Sequence, residues 1–397
     1  MYALSDLLRD RSRRKAILFY VVMLLPFFKP GCIAELDKNI IEICYATAEV
    51  IVTLGFLLDF IKKRRNFRDP FLIAVFALTA LVLLSTLLNG QSIRNWLGQW
   101  APRFAVVVIS CCAMNRKPVE YISSVITLLS ALCIANLITV VAFPSGMYQT
   151  PSTFIGDNFF LGHRNGAGLY ILLMISSSLI LDNYGTEYPC VGIRTLLLYF
   201  VGLAQTVLAF CATTLISLLV FGVGLLILKS RKLRHILNPI LAVIIGLAGN
   251  ISVVVFRIQL LFAPIIEGIL HREVSLSSRT TIWEMTLNLI SGKYLLLGRG
   301  VDGHNAIVIR ETVINSAHNE LLNILLQSGL LGLLSYVVFF GSVILKAIKN
   351  KNSSIIFVFA IFNITILIMG IAYVTTSVMT FLALSLFYYL NIDFKRQ

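Results

Sequence analysis

At residues 70–88 the chain reads "PFLIAVFALTALVLLSTLL", a stretch with no charged side chain. A run of about 20 apolar residues is long enough to cross the hydrocarbon core of a bilayer as a helix. Such runs recur along the whole chain, and they restrict its folding more than any other feature. The runs are continuous and do not alternate residue by residue, which argues against a membrane β-barrel. Composition agrees: 58% of residues are hydrophobic, 13% are charged, and mean hydropathy is +0.87. A soluble domain carries about a quarter charged residues. The net charge of +14 therefore points to basic connections that orient a membrane protein, and nucleic acid is not expected as a partner.

The expected fold class is all-α: a polytopic membrane protein with about twelve transmembrane helices in a single domain, 1–397. The spans are placed at 16–29, 40–61, 70–88, 100–115, 121–143, 167–182, 194–210, 213–229, 236–256, 320–347, 353–372 and 375–391. Polar breaks at "FCATTL" (210–215) and "YVTTS" (373–377) divide apolar runs too long for one crossing. The basic N-terminus leads into "AILFYVVMLLPFF" without a small-residue cleavage site before Lys29, so it reads as a retained first helix. Lysine and arginine gather in alternate connections, among them Arg11 to Lys15, "KKRRNFR" at 62–68, Arg116, Lys117 and "KSRKLR" at 229–234. That bias places both termini in the cytoplasm. The seven cysteines lie mostly within or beside apolar runs and show neither a disulfide framework nor metal-ligand spacing.

Two connections on the outer side stand out. One, at 144–166, contains "FFLGHRN"; the other, at 257–319, is the longest hydrophilic stretch of the chain. Loops beyond about 15 residues are uncommon unless they are functional or disordered. In the second, Ser277 and Ser278 are expected to cap a helix with Trp283, Leu287 and Ile290 on one face, and Trp283 suits the lipid–water boundary.

The residues able to do chemistry fall on this outer side. Ser316 is expected to cap the tenth span, which puts His318 in its first turn. The helix dipole there opposes protonation and favours a neutral imidazole able to accept a proton, and the same amides attract anions. Position alone fits a histidine that marks the interface rather better. Arg279, one turn before Trp283, can grip a phosphate bidentately or meet lipid headgroups. Arg164, at the mouth of the sixth span, fits a ligand contact or snorkelling. "LLLGRGVDGH" at 295–304, with Arg299, reads as a tight glycine turn shaping a cavity; it lacks the strand context of a dinucleotide fingerprint. Glu49 lies within the second span, where a carboxylate is a functional candidate; a structural pairing with a residue such as Arg103 is the expectation. The histidines show no metal-binding spacing, and neither a metal nor a cofactor is expected.

"SAHNELLNILLQSGLLGLL" is similar to a motif in which histidine followed by Asn-Glu opens a helix with a Gly-x-x-Gly step. "SSRTTIWEMTLNLISGKYLLLGRGVDGHN" and "FFLGHRNGAGLY" resemble the blocks that accompany it. Together, over roughly 157–175 and 275–335, they resemble the O-antigen ligase and O-antigen, capsular and exopolysaccharide polymerase family of bacterial membrane glycosyltransferases. The resemblance implies metal-independent, inverting glycosyl transfer on the outer leaflet of the bacterial inner membrane, from a glycan on undecaprenyl diphosphate to a glycan acceptor. His318 would activate the acceptor hydroxyl and Arg279 would hold the diphosphate. Arg164, Asn165, Asn319, Glu320 and Arg299 would bind substrate. A chain-length regulator and a flippase are the partner proteins it suggests. Ligases commonly carry an arginine in the turn that here reads "CATT" (211–214). Its absence, together with the basic "HRN" at 163–165, favours a polymerase over a ligase. A lipid-linked-oligosaccharide transporter would instead need charged groups along a midplane path, and few are present. A purely structural subunit would leave the long outer loop without a purpose.

Overall fold

The computed structural model describes residues 10–36, 38–63, 68–149, 158–186, 189–258, 260, 279–309, 312–314, 316–349 and 353–390. The early helices are α1 (Arg11–Leu24), α2 (Gly31–Leu36), α3 (Lys38–Lys62), α4 (Pro70–Leu88), α5 (Ile93–Gln99), α6 (Ala101–Met114) and α7 (Pro118–Ala142). A two-stranded hairpin, β1 (Asn158–Phe159) and β2 (Gly162–His163), leads into α8 (Arg164–Asn183). Then come α9 (Ile193–Leu208), α10 (Ala212–Ile227), α11 (Arg231–Ile236), α12 (Pro239–Val254), α13 (Arg279–Leu289) and α14 (Tyr294–Leu297). A second hairpin, β3 (Val308–Ile309) and β4 (Thr312–Val313), precedes α15 (Glu320–Ile348), α16 (Ser353–Ala372) and α17 (Val378–Tyr389).

Each expected apolar run forms a helix, so the all-α polytopic membrane fold holds. Among the described residues seven helices are long and apolar enough to cross a membrane, while α9, α10, α12 and α17 are apolar but shorter. The fourth run starts earlier than expected, because α5 continues through Trp100 into α6 as one apolar stretch, Ile93–Met114. Helix starts follow their local chemistry. Asp69 accepts the Phe71 amide (3.0 Å) and Asn238 accepts those of Ile240 and Leu241 (both 3.0 Å), each just before a proline that opens the helix.

Side-chain contacts sort the helix ends into two sets. One joins Arg116 to Asp59, Arg194 to Asp182 (2.9 Å), Arg234 to Ser354 (3.3 Å) and Tyr388 to Asp69 (2.7 Å). The other joins Arg94 to Glu42 (3.1 Å), Asn136 to the Leu161 amide (2.9 Å) and Asn319 to Asn250 (3.3 Å). Helix α8 lies at the centre and is buried along nearly its whole length, including Ser176, Ser177 and Ser178. Small side chains of this kind let neighbouring helices approach closely. Helix α3 lies at the periphery, with Ile40, Ile43, Val50, Ile51, Leu54 and Leu58 exposed.

The run at 320–347 is not one straight helix. Gly329 has φ 63°, ψ −162°, which breaks α15 after Ser328. Sixteen residues of unbroken helix would extend about 24 Å, yet the Tyr336 hydroxyl reaches the Glu320 carboxylate. Segment 320–328 therefore folds back along the rest of α15. The break frees the carbonyls of Leu326 and Gln327, and the amides of Arg299 and Gly300 fill them at 2.7 and 3.0 Å. The turn at 298–301 is held in turn by the end of α4: Gln91 donates to the Arg299 carbonyl (2.5 Å) and accepts the Asp302 amide (2.9 Å), while Thr86 accepts the Val301 amide (3.1 Å). The expected cavity-shaping turn is thus a plug whose backbone seats in a helix break. A Cβ on Gly329 would stand 2.4 Å from the Leu296 carbonyl. Gly329→Ala is expected to lower the thermal midpoint sharply or abolish folded yield in detergent, as read by size-exclusion melting. Gly341→Ala, in the same helix with nothing within 4 Å, should not.

Candidate active site

The fold-back segment starts inside the bundle. Glu320 is buried (3% exposed) and accepts the amides of Thr375 (2.6 Å) and Thr376 (2.8 Å) and the Thr376 hydroxyl. These donors belong to the "YVTTS" break between α16 and α17, so one carboxylate fixes the start of α15 against that break. Asn319 is the N-cap: its Oδ1 accepts the Leu322 amide (3.1 Å), and its Nδ2 donates to Asn250 (3.3 Å) and to the Ile371 carbonyl (3.2 Å). Ser316 does not cap this helix as expected; it accepts the amide of His318 (3.3 Å) in a local turn. His318 therefore stands just before the helix, with a left-handed backbone (φ 48°) that few non-glycine residues adopt.

The His318 imidazole is mostly buried, and its pKa falls from 6.5 to about 4. Burial is the main cause, followed by the Arg279 guanidinium and then His163. The shift has the direction expected for a neutral imidazole, though dehydration and neighbouring positive charge replace the helix dipole as its origin. Among the described residues no hydrogen bond engages either the His318 ring or the Arg279 guanidinium. Burial also pushes the Arg279 pKa down.

Arg279 is the first residue of α13, and Trp283 explains why it lies there. Trp283 is 2% exposed and packs against Ala317 and Leu322, the residues flanking His318 and its helix start. This corrects the expected interfacial position: the indole clamps α13 onto α15, so Arg279 reaches His318. Ile290 is buried but Leu287 is 51% exposed, so the buried face runs through Ile282, Trp283, Thr286 and Ile290. Ser277 and Ser278 lie outside the described residues.

The start of α8 forms the neighbouring wall. His163 caps the helix, its Nδ1 accepting the Asn165 amide (3.3 Å). Asn165 accepts a hydrogen bond from the Cys211 thiol (3.1 Å), and Cys211 also lies near Arg279. Arg164 donates to the Ala209 carbonyl (3.4 Å) and, with Asn136, Gln205 and Cys211, lines a small cavity of about 10 Å³. Tyr373 closes this wall, its hydroxyl 3.1 Å from where a Cβ on Gly166 would stand. Burial raises its pKa to about 12. In the sequence, the polar breaks "GHRN", "FCATTL" and "YVTTS" are the signal for His163, Cys211 and Tyr373.

Arg299 is engaged elsewhere. Its Nε donates to the Leu289 carbonyl (2.8 Å), tying down the end of α13, and its guanidinium lies 3.9 Å from the Tyr294 ring centre. Glu49 does not pair with Arg103 as expected. The charge near Glu49 is Lys29, and the charge near Arg103 is Glu320. Among the described residues no cluster of three or more His, Cys, Asp or Glu has metal-site geometry.

Residues 195–337 match a family model described as O-antigen ligase. A search of curated proteins gives no match. The matched stretch bears out the resemblance carried by the sequence motifs, and it contains Arg279, Arg299, His318, Asn319 and Glu320. Arg164, Asn165 and His163 precede it.

Proposed function

We propose that this integral membrane protein is a polysaccharide polymerase. In this reading it joins repeat units carried on undecaprenyl diphosphate, by metal-independent inverting transfer on the outer leaflet of a bacterial cytoplasmic membrane. The observation that carries the reading is a largely buried His318 beside Arg279, with neither side-chain head group, among the described residues, committed to an internal hydrogen bond. The acceptor hydroxyl attacks the anomeric carbon while His318 takes its proton and becomes imidazolium. The bond from that carbon to the diphosphate oxygen breaks, the electron pair leaves with the diphosphate, and the configuration inverts. His318 then returns the proton to water. Arg279 faces the charge that grows on the leaving group, where a fixed cation in a poorly hydrated cleft acts strongly. Glu320, Asn319, Trp283 and Arg299 hold these two groups in register. Arg164 and Asn165, on the adjoining wall, bind the donor or the growing chain.

The turn "CATT" (211–214), without arginine, supports polymerase over ligase. The description of the matching family model favours the second reading, an O-antigen ligase that passes a finished glycan to another lipid. Purified protein given lipid-linked repeat units alone separates the two. A polymerase yields a ladder of chain lengths, unchanged by EDTA. No product without an added lipid acceptor would replace the proposal with the ligase reading.

A further inference from the structure

A second site lies at the end of the bundle away from His318. Helix α7 runs 25 residues, about 37 Å, from Pro118 to Ala142, and the His163 wall follows its far end. At its near end, a cavity of about 400 Å³ opens between the first turns of α1 and the turn from α6 to α7. Ser12, Lys15, Phe19, Tyr20, Arg116 and Lys117 line it. Arg116 is anchored by Asp59. Among the described residues Lys15 and Lys117, which come from different elements, have no ion-pair partner. Three cations thus share one hollow and only one of them is neutralised.

The rest of the hollow is apolar and continues onto the lipid-facing side of α1. Phe19 is 50% exposed and Val22, one turn on, is 52% exposed. A free anion in water would use the charges but gain nothing from this aromatic and aliphatic wall. A molecule with a phosphate at one end and acyl chains at the other uses both. Lysines that merely snorkel spread towards headgroups on all sides; here two of them and Arg116 close on a single cavity.

We infer that this hollow binds the phosphate headgroup of an anionic phospholipid, between Lys15 and Lys117, with an acyl chain lying over Phe19 and Val22. The site is separate from the glycan-transfer cleft and holds whichever substrate that cleft takes. Its test is the thermal midpoint of the purified full chain in detergent, titrated with phosphatidylglycerol, phosphatidylcholine or inorganic phosphate. Phosphatidylglycerol is expected to raise the midpoint saturably, and the other two are not. The double variant Lys15→Gln/Lys117→Gln, with an unchanged midpoint in lipid-free detergent, should need about tenfold more phosphatidylglycerol. The control Lys229→Gln/Lys232→Gln, in the turn after α10 and in α11, should respond like the wild type. Equal responses to both lipids, a response to inorganic phosphate alone, or an unchanged titration in the double variant would each overturn the assignment. If the double variant unfolds, Lys117→Gln alone replaces it and must weaken the lipid response.

Discussion

His318→Ala is expected to leave a folded, membrane-inserted protein whose glycan transfer falls by about 10²–10⁴-fold, the usual contribution of a positioned general base. The fall should appear in kcat, with little change in KM, because the imidazole acts on a proton that moves only in the transition state. Steady-state transfer with a defined lipid-linked oligosaccharide measures both. Stability should shift in the opposite direction at low pH. The folded pKa of about 4 lies below the reference 6.5, so protonation favours the unfolded chain. The native protein therefore loses stability as pH falls from 6.5 towards 4, and the alanine variant escapes that loss. Near neutrality the two should melt at similar temperatures. A variant that retains full transfer would remove His318 from the chemistry.

Arg279→Ala is expected to reduce kcat/KM by about 10²–10³-fold, the scale seen when a preorganised donor to developing negative charge is removed. Arg279→Lys should recover only part of it, since an ammonium keeps the charge but lacks the planar fork that matches phosphate oxygens. The alanine variant should still fold, because Trp283 and Ile282, rather than the guanidinium, fasten α13 to the bundle. Trp283→Ala would serve as the contrasting case. It leaves both reacting groups in the chain but releases the clamp, so activity and thermal stability should fall together.

The membrane fold was readable because its determinant is local: an apolar run of sufficient length becomes a helix whatever surrounds it. Helices occupy every such run, from "PFLIAVFALTALVLLSTLL" to the last. What escaped depends on partners distant in the chain. Gly329 follows Gln327 and Ser328 within an apolar span, and nothing nearby announces that the Gly298–Gly300 turn will enter there and take over the carbonyls of Leu326 and Gln327. Ser316 and Asn319 are both competent caps. The choice of Asn319 follows from its further hydrogen bonds to Asn250 and Ile371. Trp283 read as interfacial because its cover, Ala317 and Leu322, lies more than thirty residues away. Of the cleft, His318 and Arg279 stood out as polar groups beside apolar helices. Cys211 and Tyr373 did not, since each looks like an ordinary residue at the edge of a span. Depth alone pairs Arg103 with Glu49, whereas the fold-back of segment 320–328 brings the charge of Glu320 near it instead.

The central claim, that a neutral His318 and a cationic Arg279 share one cleft, is tested most directly by the pH dependence of kcat/KM in the free enzyme. The wild type should hold its neutral-pH value down to about pH 5 and decline only as His318 protonates around its pKa of about 4. In Arg279→Gln, where the neighbouring cation is gone, the residual activity should decline at a distinctly higher pH. An acidic limb at the ordinary histidine value of about 6.5, unmoved by the Arg279 substitution, would contradict the shared cleft.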